Sequence, residues 1–278
     1  MITSRTNERI KKIRLLKQAK HRESRGEYFI EGIRLVEEAL GEAMFVRQIL
    51  HSPRLEGTPR GAKLLSSIHQ MFREAEWLSV DDEVLASLSD TQNHQGILVV
   101  LKKREWTWPD VGQRKGLVLC FHELQDPGNL GSIFRVLEAG DGAGMILSSG
   151  SVDPYSPKVV RASMGSFFRL PFLIRQFPEA ILQELRSRGY RIWAATAQGQ
   201  RSFWKIDSFD STAVLFGQEG GGLPEEWATQ ADGTLTIPMT SPIDSLNVAM
   251  AAGLIVYEAF RQKQTSKGKY GDTLSASR

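Results

Sequence analysis

Apolar residues recur at helical and strand spacing, in alternation, along most of this chain. Near the N-terminus Ile10, Ile13 and Leu16 recur every three residues with Leu15 and Ala19 beside them, which predicts a helix that Asn7 can cap. Lys11, Lys12, Arg14 and Lys17 fall outside that apolar stripe, and residues 20–26 read as a basic loop. Apolar runs at residues 28–30, 45–50, 77–80 and 96–101 predict strands. Between them Ile33, Val36 and Leu40, then Leu64, Leu65, Ile68 and Phe72, then Val84, Leu85 and Leu88 mark helices. Such alternation describes a small α/β domain. A polar stretch, residues 102–115, then breaks the pattern and reads as a linker. Its Trp106 and Trp108 could stack on bases, but packing on the neighbouring domain is the expectation.

The pattern resumes with strands predicted at residues 116–121, 144–147, 168–174, 191–195, 213–216 and 234–237. Helices are predicted around Ile133, Val136 and Leu137, over 157–164, and around Ala180, Ile181 and Leu185 up to Gly189. Another has Pro224 in its first turn, where proline is tolerated. The last runs from Ser245 to about Arg261, apolar on most faces through Tyr257 and so expected to be largely buried. The expected organisation is a domain at 1–103, a linker at 104–115, a second domain at 116–262 and a disordered basic tail at 263–278.

Composition narrows the class. With 41% hydrophobic and 24% charged residues, and no apolar run near the roughly 20 residues of a membrane helix, a soluble cytoplasmic protein is expected. The N-terminus lacks a secretory leader pattern. Cys120 is the sole cysteine, which excludes an intramolecular disulfide; no metal site is expected, and Cys120 reads as a buried small hydrophobe. The net charge of +3 conceals asymmetry: residues 1–27 are net +6 and residues 261–278 net +4, leaving the body net acidic by seven. Basic ends on an acidic body suggest a polyanion gripped by appendages.

Candidate chemistry lies in three loops of the second half, each between an apolar run and a helical segment. Loops of that kind can meet at one edge of a parallel sheet, where such sheets bind ligands. In residues 125–135, Pro127 and Gly128 set a turn, Asn129 can cap the following helix, and Arg135 supplies a fork matched to phosphate. In residues 216–224 the successive Gly220, Gly221 and Gly222 uncover backbone amides, and no Lys-Ser/Thr follows as nucleotide-binding loops require. In the third loop Ser245 or Asp244 can cap the last helix, leaving Asn247 in its first turn. Each segment alone is compatible with an ordinary cap or turn.

Together the segments resemble the motifs of the SpoU (TrmH-like) RNA 2′-O-ribose methyltransferases of the SPOUT class. Asn129, Gly131 and Arg135 match the first motif, Gly217, Glu219, Gly222 and Leu223 the second, and Ile237-Pro238-Met239 with Ser245-Leu246-Asn247-Val248 the third. The match covers residues 116 to about 262. The N-terminal region resembles the small ribosomal-protein-like α/β domain that binds substrate RNA in these enzymes. Departures from the pattern are Ser241 and Ala249, where many relatives carry Gly and Ser, Pro242, and Val136-Leu137 after Arg135.

The resemblance implies an α/β SPOUT domain with a C-terminal trefoil knot, S-adenosylmethionine bound near Leu215, Gly217, Gly222, Ile237, Met239 and Leu246, and a homodimer. It implies transfer of a methyl group to a ribose 2′-hydroxyl, with Arg135 positioning phosphate or acting as the base. Asn129, Ser245 and Asn247 would orient ribose and phosphate, and Glu219 would shape its loop or hold Arg135. A guanidinium normally keeps its proton throughout the ordinary pH range, so a base role needs strong local help. Lys11, Lys12, Arg14, Lys17 and Arg22 are the candidate RNA contacts. Ribosomal RNA is preferred over transfer RNA, and DNA is excluded because the 2′-hydroxyl is the substrate. The alternatives are a non-catalytic RNA-binding or ribosome-assembly protein on the same fold and a SPOUT enzyme that methylates a base. A nicotinamide dehydrogenase is disfavoured, since no Gly-x-Gly-x-x-Gly follows an early strand.

Overall fold

The computed structural model describes residues 1–266 except Ala43, Gln92, Arg114 and residues 241–244, and gives Arg175 by its backbone alone. The chain divides into two compact units, Met1–Glu105 with Asp153–Arg169, and Trp106–Val152 with Leu170–Arg278.

In the first unit α1 (Glu8–Leu15), α2 (Ala19–Arg25), β1 (Glu27–Glu31), α3 (Ile33–Leu40), β2 (Val46–His51), α4 (Pro53–Glu56), α5 (Pro59–Met71), β3 (Glu76–Ser79), α6 (Asp82–Leu88) and β4 (Ile97–Lys102) follow in order. The sheet has four strands in the order β1-β4-β2-β3; β4 is antiparallel to both neighbours and β2 runs parallel to β3. Alternate residues of a strand face opposite ways. Phe29, Leu50, Leu98 and Val100 accordingly join Ile10 and Ile13 of α1, Leu16 just after it, and Val84, Leu85 and Leu88 of α6. On the other face Ile30, Ile49, Val99 and Leu101 meet Val36 and Leu40 of α3 and Ile68 of α5. Burial on both faces is why the central β4 reads as a continuous apolar run.

Asn7 caps α1 as expected, its side chain accepting from Arg9 N. Residues 20–26, expected as a loop, instead form most of α2, closed by Gly26 in the left-handed conformation at φ 61°. Arg22 ties this helix down. It is 3% exposed, pairs with Asp153 at 2.7 Å, and donates to the carbonyls of Leu16 and Lys17 at 2.9 and 2.8 Å. Tyr155 and Phe167 pack edge-on against Tyr28, so residues 153–169 complete this unit.

In the second unit α7 (Trp108–Gly112) arises inside the stretch expected as a linker. Asp110 accepts from Thr107 N at 2.7 Å, and Trp106 and Trp108 pack on this unit's own core. The order continues β5 (Leu117–Phe121), α8 (Pro127–Ala139), β6 (Gly144–Ser148), α9 (Pro157–Ala162, grouped with the first unit), β7 (Phe172–Gln176), α10 (Pro178–Ser187), β8 (Arg191–Ala195), β9 (Arg201–Ser202), β10 (Thr212–Phe216), α11 (Glu225–Gln230), β11 (Gly233–Thr236) and α12 (Val248–Ser266). The strand expected at 168–174 starts later, because residues 166–168 form a 3-10 turn. Pro224 precedes α11 as its N-cap rather than entering the first turn. The short β9 lacked an apolar run to reveal it.

Seven strands lie in the order β7-β6-β5-β10-β8-β11-β9, and each neighbouring pair is parallel. Val118, Cys120, Ile146, Ile192, Ala213 and Leu215 pack with Ile181, Leu182 and Leu185 of α10 and with Trp227 of α11. Cys120 is fully buried, and burial pushes its thiol pKa up, which leaves it an inert core residue. Helix α12 packs on α8 and β5. A Cβ on Gly140 would come within 2.2 Å of Val256 Cγ1, so only glycine permits that approach without a shift.

The last helix, expected to be largely buried, is buried on one face only. Ala252, Ile255 and Val256 are buried, whereas Met250, Leu254 and Tyr257 are 65%, 45% and 53% exposed. Lys263–Ser266, expected in the tail, continue α12, with Lys263 paired to Asp141. The rest of the expected tail, 267–278, and Ser241, Pro242 and Asp244 lie outside the described residues.

Candidate active site

Parallel strands place all their C-terminal ends on one edge of a sheet. Phe121 ends β5, Phe216 ends the adjacent β10, and Thr236 ends β11, so the three motif loops leave from that edge. His122 N donates to Phe216 O at 2.9 Å, and the rings of Phe121 and Phe216 stack at 5.0 Å beneath the loops.

The first loop enters α8 earlier than expected. Asp126, not Asn129, is its N-cap, with Asp126 Oδ1 accepting from Asn129 N at 2.7 Å and Pro127 in the first turn. Asn129 is thereby moved into the helix and its amide is released from capping. The loop is braced from the side by Gln125, whose Nε2 donates to Gly150 O at 2.7 Å. Arg135 is exposed further along α8, and its side chain makes no hydrogen bond or ion pair among the described residues.

The second loop is a closed turn. Gln218 N and Gly222 O, and Gly222 N and Gln218 O, bond at 2.9 Å each. Gly220 and Gly222 sit at φ 87° and 70°. A Cβ on Gly217 would come within 2.1 Å of the Gly222 carbonyl carbon and 2.2 Å of Leu223 N, whereas one on Gly220 or Gly222 would meet nothing within 4 Å. The turn is therefore pinched at its base and bare on its outer side.

The third segment corrects another cap. Asn247 is the cap of α12 itself: its Oδ1 accepts from Ala249 N at 2.9 Å and Met250 N at 3.3 Å, and its carbonyl accepts from Ala251 N at 2.9 Å. Its Nδ2 donates to Asn129 Oδ1 at 3.0 Å, and Asn129 Nδ2 donates to Glu219 Oε1. Asn129 in the first turn of α8, Glu219 in the glycine turn and Asn247 at the start of α12 thus form one connected group. Glu219 bonds Asn129 rather than Arg135. Ser245 is exposed next to this group in sequence. Leu215 is buried in β10, and Ile237, Met239 and Leu246 are half-buried after β11 and before α12.

The expected basic residues divide. Lys12 is exposed. Lys11 pairs with Glu8 at 2.7 Å, Lys17 with Asp90 at 2.7 Å, and Arg14 donates to Arg5 O and Ser87 Oγ. Arg22 has its guanidinium committed inside the first unit, so it is not an exposed RNA contact. No group of His, Cys, Asp and Glu able to hold a metal occurs among the described residues.

Known proteins resemble this chain in sequence and in fold. The SpoU rRNA Methylase family matches residues 116–257 and the MRM3-like substrate binding domain residues 7–99. An uncharacterized tRNA/rRNA methyltransferase of Synechocystis is 36% identical over 94% of this chain and 94% of its own length. The 23S rRNA (guanosine(2553)-2′-O)-methyltransferase RlmP of Bacillus subtilis is 29% identical over 92% of this chain and 97% of its own. Among solved structures, the SpoU methyltransferase AviRb of Streptomyces viridochromogenes in complex with AdoMet superposes with TM-score 0.84 at 28% identity, covering 92% of this chain and 98% of that one.

Proposed function

We propose that this chain, which belongs to the SpoU rRNA methylase family, is an enzyme that moves a methyl group from S-adenosylmethionine to a ribose 2′-hydroxyl of ribosomal RNA. The observation that carries this reading is the meeting of three loops at one sheet edge, tied through Asn129, Glu219 and Asn247. Relatives of nearly full coverage are described as 23S rRNA 2′-O-methyltransferases, from Bacillus subtilis and Streptomyces viridochromogenes, and this supports ribosomal over transfer RNA.

The residues present fit the cofactor. The turn at 217–222 offers uncovered backbone, and Gly220 and Gly222 leave free space where side chains would stand. Leu215, Gly217, Gly222, Ile237, Met239 and Leu246 would hold S-adenosylmethionine, which supplies an electrophilic methyl on a sulfonium. Arg135, exposed and without an internal partner among the described residues, is free to take an RNA phosphate by its guanidinium fork. Holding that phosphate fixes the adjacent ribose, and the exposed Ser245 hydroxyl is available to the same sugar. Orientation of this kind supplies several kcal/mol of a bimolecular barrier. Mapping 2′-O-methyl sites in ribosomal and transfer RNA from cells with and without the gene identifies the substrate. Loss of a single ribosomal site supports the reading, and loss confined to transfer RNA contradicts the substrate.

The first unit serves as the RNA-binding domain, supported by its match to a substrate-binding family. Lys12 and Lys20 are exposed cations of its N-terminal segment. Removing one cation from a phosphate flattens the salt dependence of RNA affinity by about one unit or somewhat less in log–log slope. Replacing both lysines by Gln is expected to flatten the slope measurably in filter binding; an unchanged slope removes them from the interface.

The enzyme is a homodimer in this reading, with Met250, Leu254 and Tyr257 of α12 as the covered face. They recur at one-turn spacing yet stand exposed in the single chain. Leu254→Glu is expected to sediment as a monomer at concentrations where the parent is dimeric; a monomeric parent refutes the proposal. A trefoil knot in the second unit belongs to the same reading, and an experimental chain trace tests it. No helix among the described residues is long and apolar enough to cross a membrane, and the cytoplasm is the proposed location, testable by cell fractionation.

A further inference from the structure

The hydrogen-bonded group at the sheet edge has a direction. The first N–H groups of a helix lack intrahelical acceptors. At the start of α12 the amides of Ala249 and Met250 both donate to Asn247 Oδ1. That commits the oxygen of Asn247, so the group it turns toward Asn129 is its Nδ2, at 3.0 Å. Asn129 must meet a donor with its own oxygen, which sends its Nδ2 to the Glu219 carboxylate, an acceptor. The backbone N–H of Asn129 is occupied as well, by Asp126 Oδ1 at 2.7 Å. Reversing one amide would set donor against donor or oxygen against oxygen.

We infer that Asn129 is a positioning residue that latches the glycine turn to the starts of α8 and α12, its amide oriented by the α12 N-terminus, rather than a residue that grips the ribose. The latch acts on the turn because Glu219 lies between the two ends of the Gln218–Gly222 closure. Holding Glu219 holds the bare backbone of Gly220 and Gly222 in one shape before the cofactor arrives. This inference rests on the reading of that turn as the S-adenosylmethionine site. It predicts that defects at Asn129 show first in cofactor affinity, and that they depend on what stands at position 219.

Asn129→Asp is nearly isosteric and still accepts from Asn247. It presents an oxygen to Glu219, so two carboxylates oppose each other. Glu219→Gln alone keeps an oxygen for Asn129 Nδ2 and is expected to be mild. The double variant restores a donor between the two positions, because the Gln amide can donate to Asp. Isothermal titration calorimetry of the full chain with S-adenosylmethionine reads this directly, with thermal melts to confirm folding. Asn129→Asp is expected to weaken binding about tenfold or more, Glu219→Gln about threefold or less, and the double variant to return to about the affinity of Glu219→Gln alone. RNA methylation is expected to recover in parallel. The inference is overturned by Asn129→Asp binding cofactor like the parent, or by a double variant no better than Asn129→Asp. Rescued cofactor binding without rescued methylation would return Asn129 to the ribose and also overturn it. A parent protein without measurable cofactor affinity would instead remove the underlying reading, and this inference with it.

Discussion

Arg135→Ala is expected to fold, bind S-adenosylmethionine with parental affinity and methylate RNA on the order of 10²–10³-fold more slowly. The magnitude is that of removing one charged group aimed at a reacting centre. Arg135 is exposed on α8 and has no hydrogen-bond or ion-pair partner among the described residues, so its loss leaves no orphaned carboxylate and little structural damage. Arg135→Lys keeps the charge but loses the planar fork, and should recover only part of the rate. Single-turnover methylation beside calorimetry separates the two steps. Near-parental turnover in the Ala variant would remove Arg135 from the chemistry, and a parallel loss of cofactor affinity would reassign it to the cofactor pocket.

Gly217→Ala is expected to abolish cofactor binding while leaving the rest of the unit folded. The added methyl would lie 2.1–2.3 Å from the carbonyl group of Gly222 and the amide of Leu223, which are backbone and cannot swing aside. The paired bonds between Gln218 and Gly222 must open to admit it. Gly220→Ala provides the contrast: it meets no atom within 4 Å but carries a φ of 87° that an L-residue adopts only with strain. Its effect should be smaller, about 1–3 kcal/mol of turn stability. Equal cofactor affinity in Gly217→Ala and parent would contradict the placement of the site at this turn.

Much of this site was legible because its signals are local. Continuous apolar runs announced the buried strands, and the loops after β5, β10 and β11 carried the family's motifs. Caps were less legible. Asp126 and Asn129 are both good cap residues three positions apart, and Pro127 at the first helical position favoured Asp126. Likewise Asn247 won over Ser245 as the α12 cap. Both corrections alter chemistry, because they turn the two amides toward each other across 118 residues of sequence, which no local pattern encodes. The basic segment at 20–26 misled for a related reason. Arg22 looks like surface charge in one dimension, and only its partner Asp153, 131 positions away, makes it a buried strut. The last helix misled in the opposite sense. Its apolar residues at Met250, Leu254 and Tyr257 have the same pattern whether a helix is buried within one chain or against a second.

Labelled methyl transfer tests the central claim most directly. The protein is incubated with ribosomal RNA and S-adenosylmethionine carrying an isotopically heavy methyl group, the RNA is digested to nucleosides, and these are weighed by mass spectrometry. The account predicts heavy label on the ribose of one nucleoside, absent with Arg135→Ala. Label on a base, or no label from a parent protein that binds the cofactor, would contradict it.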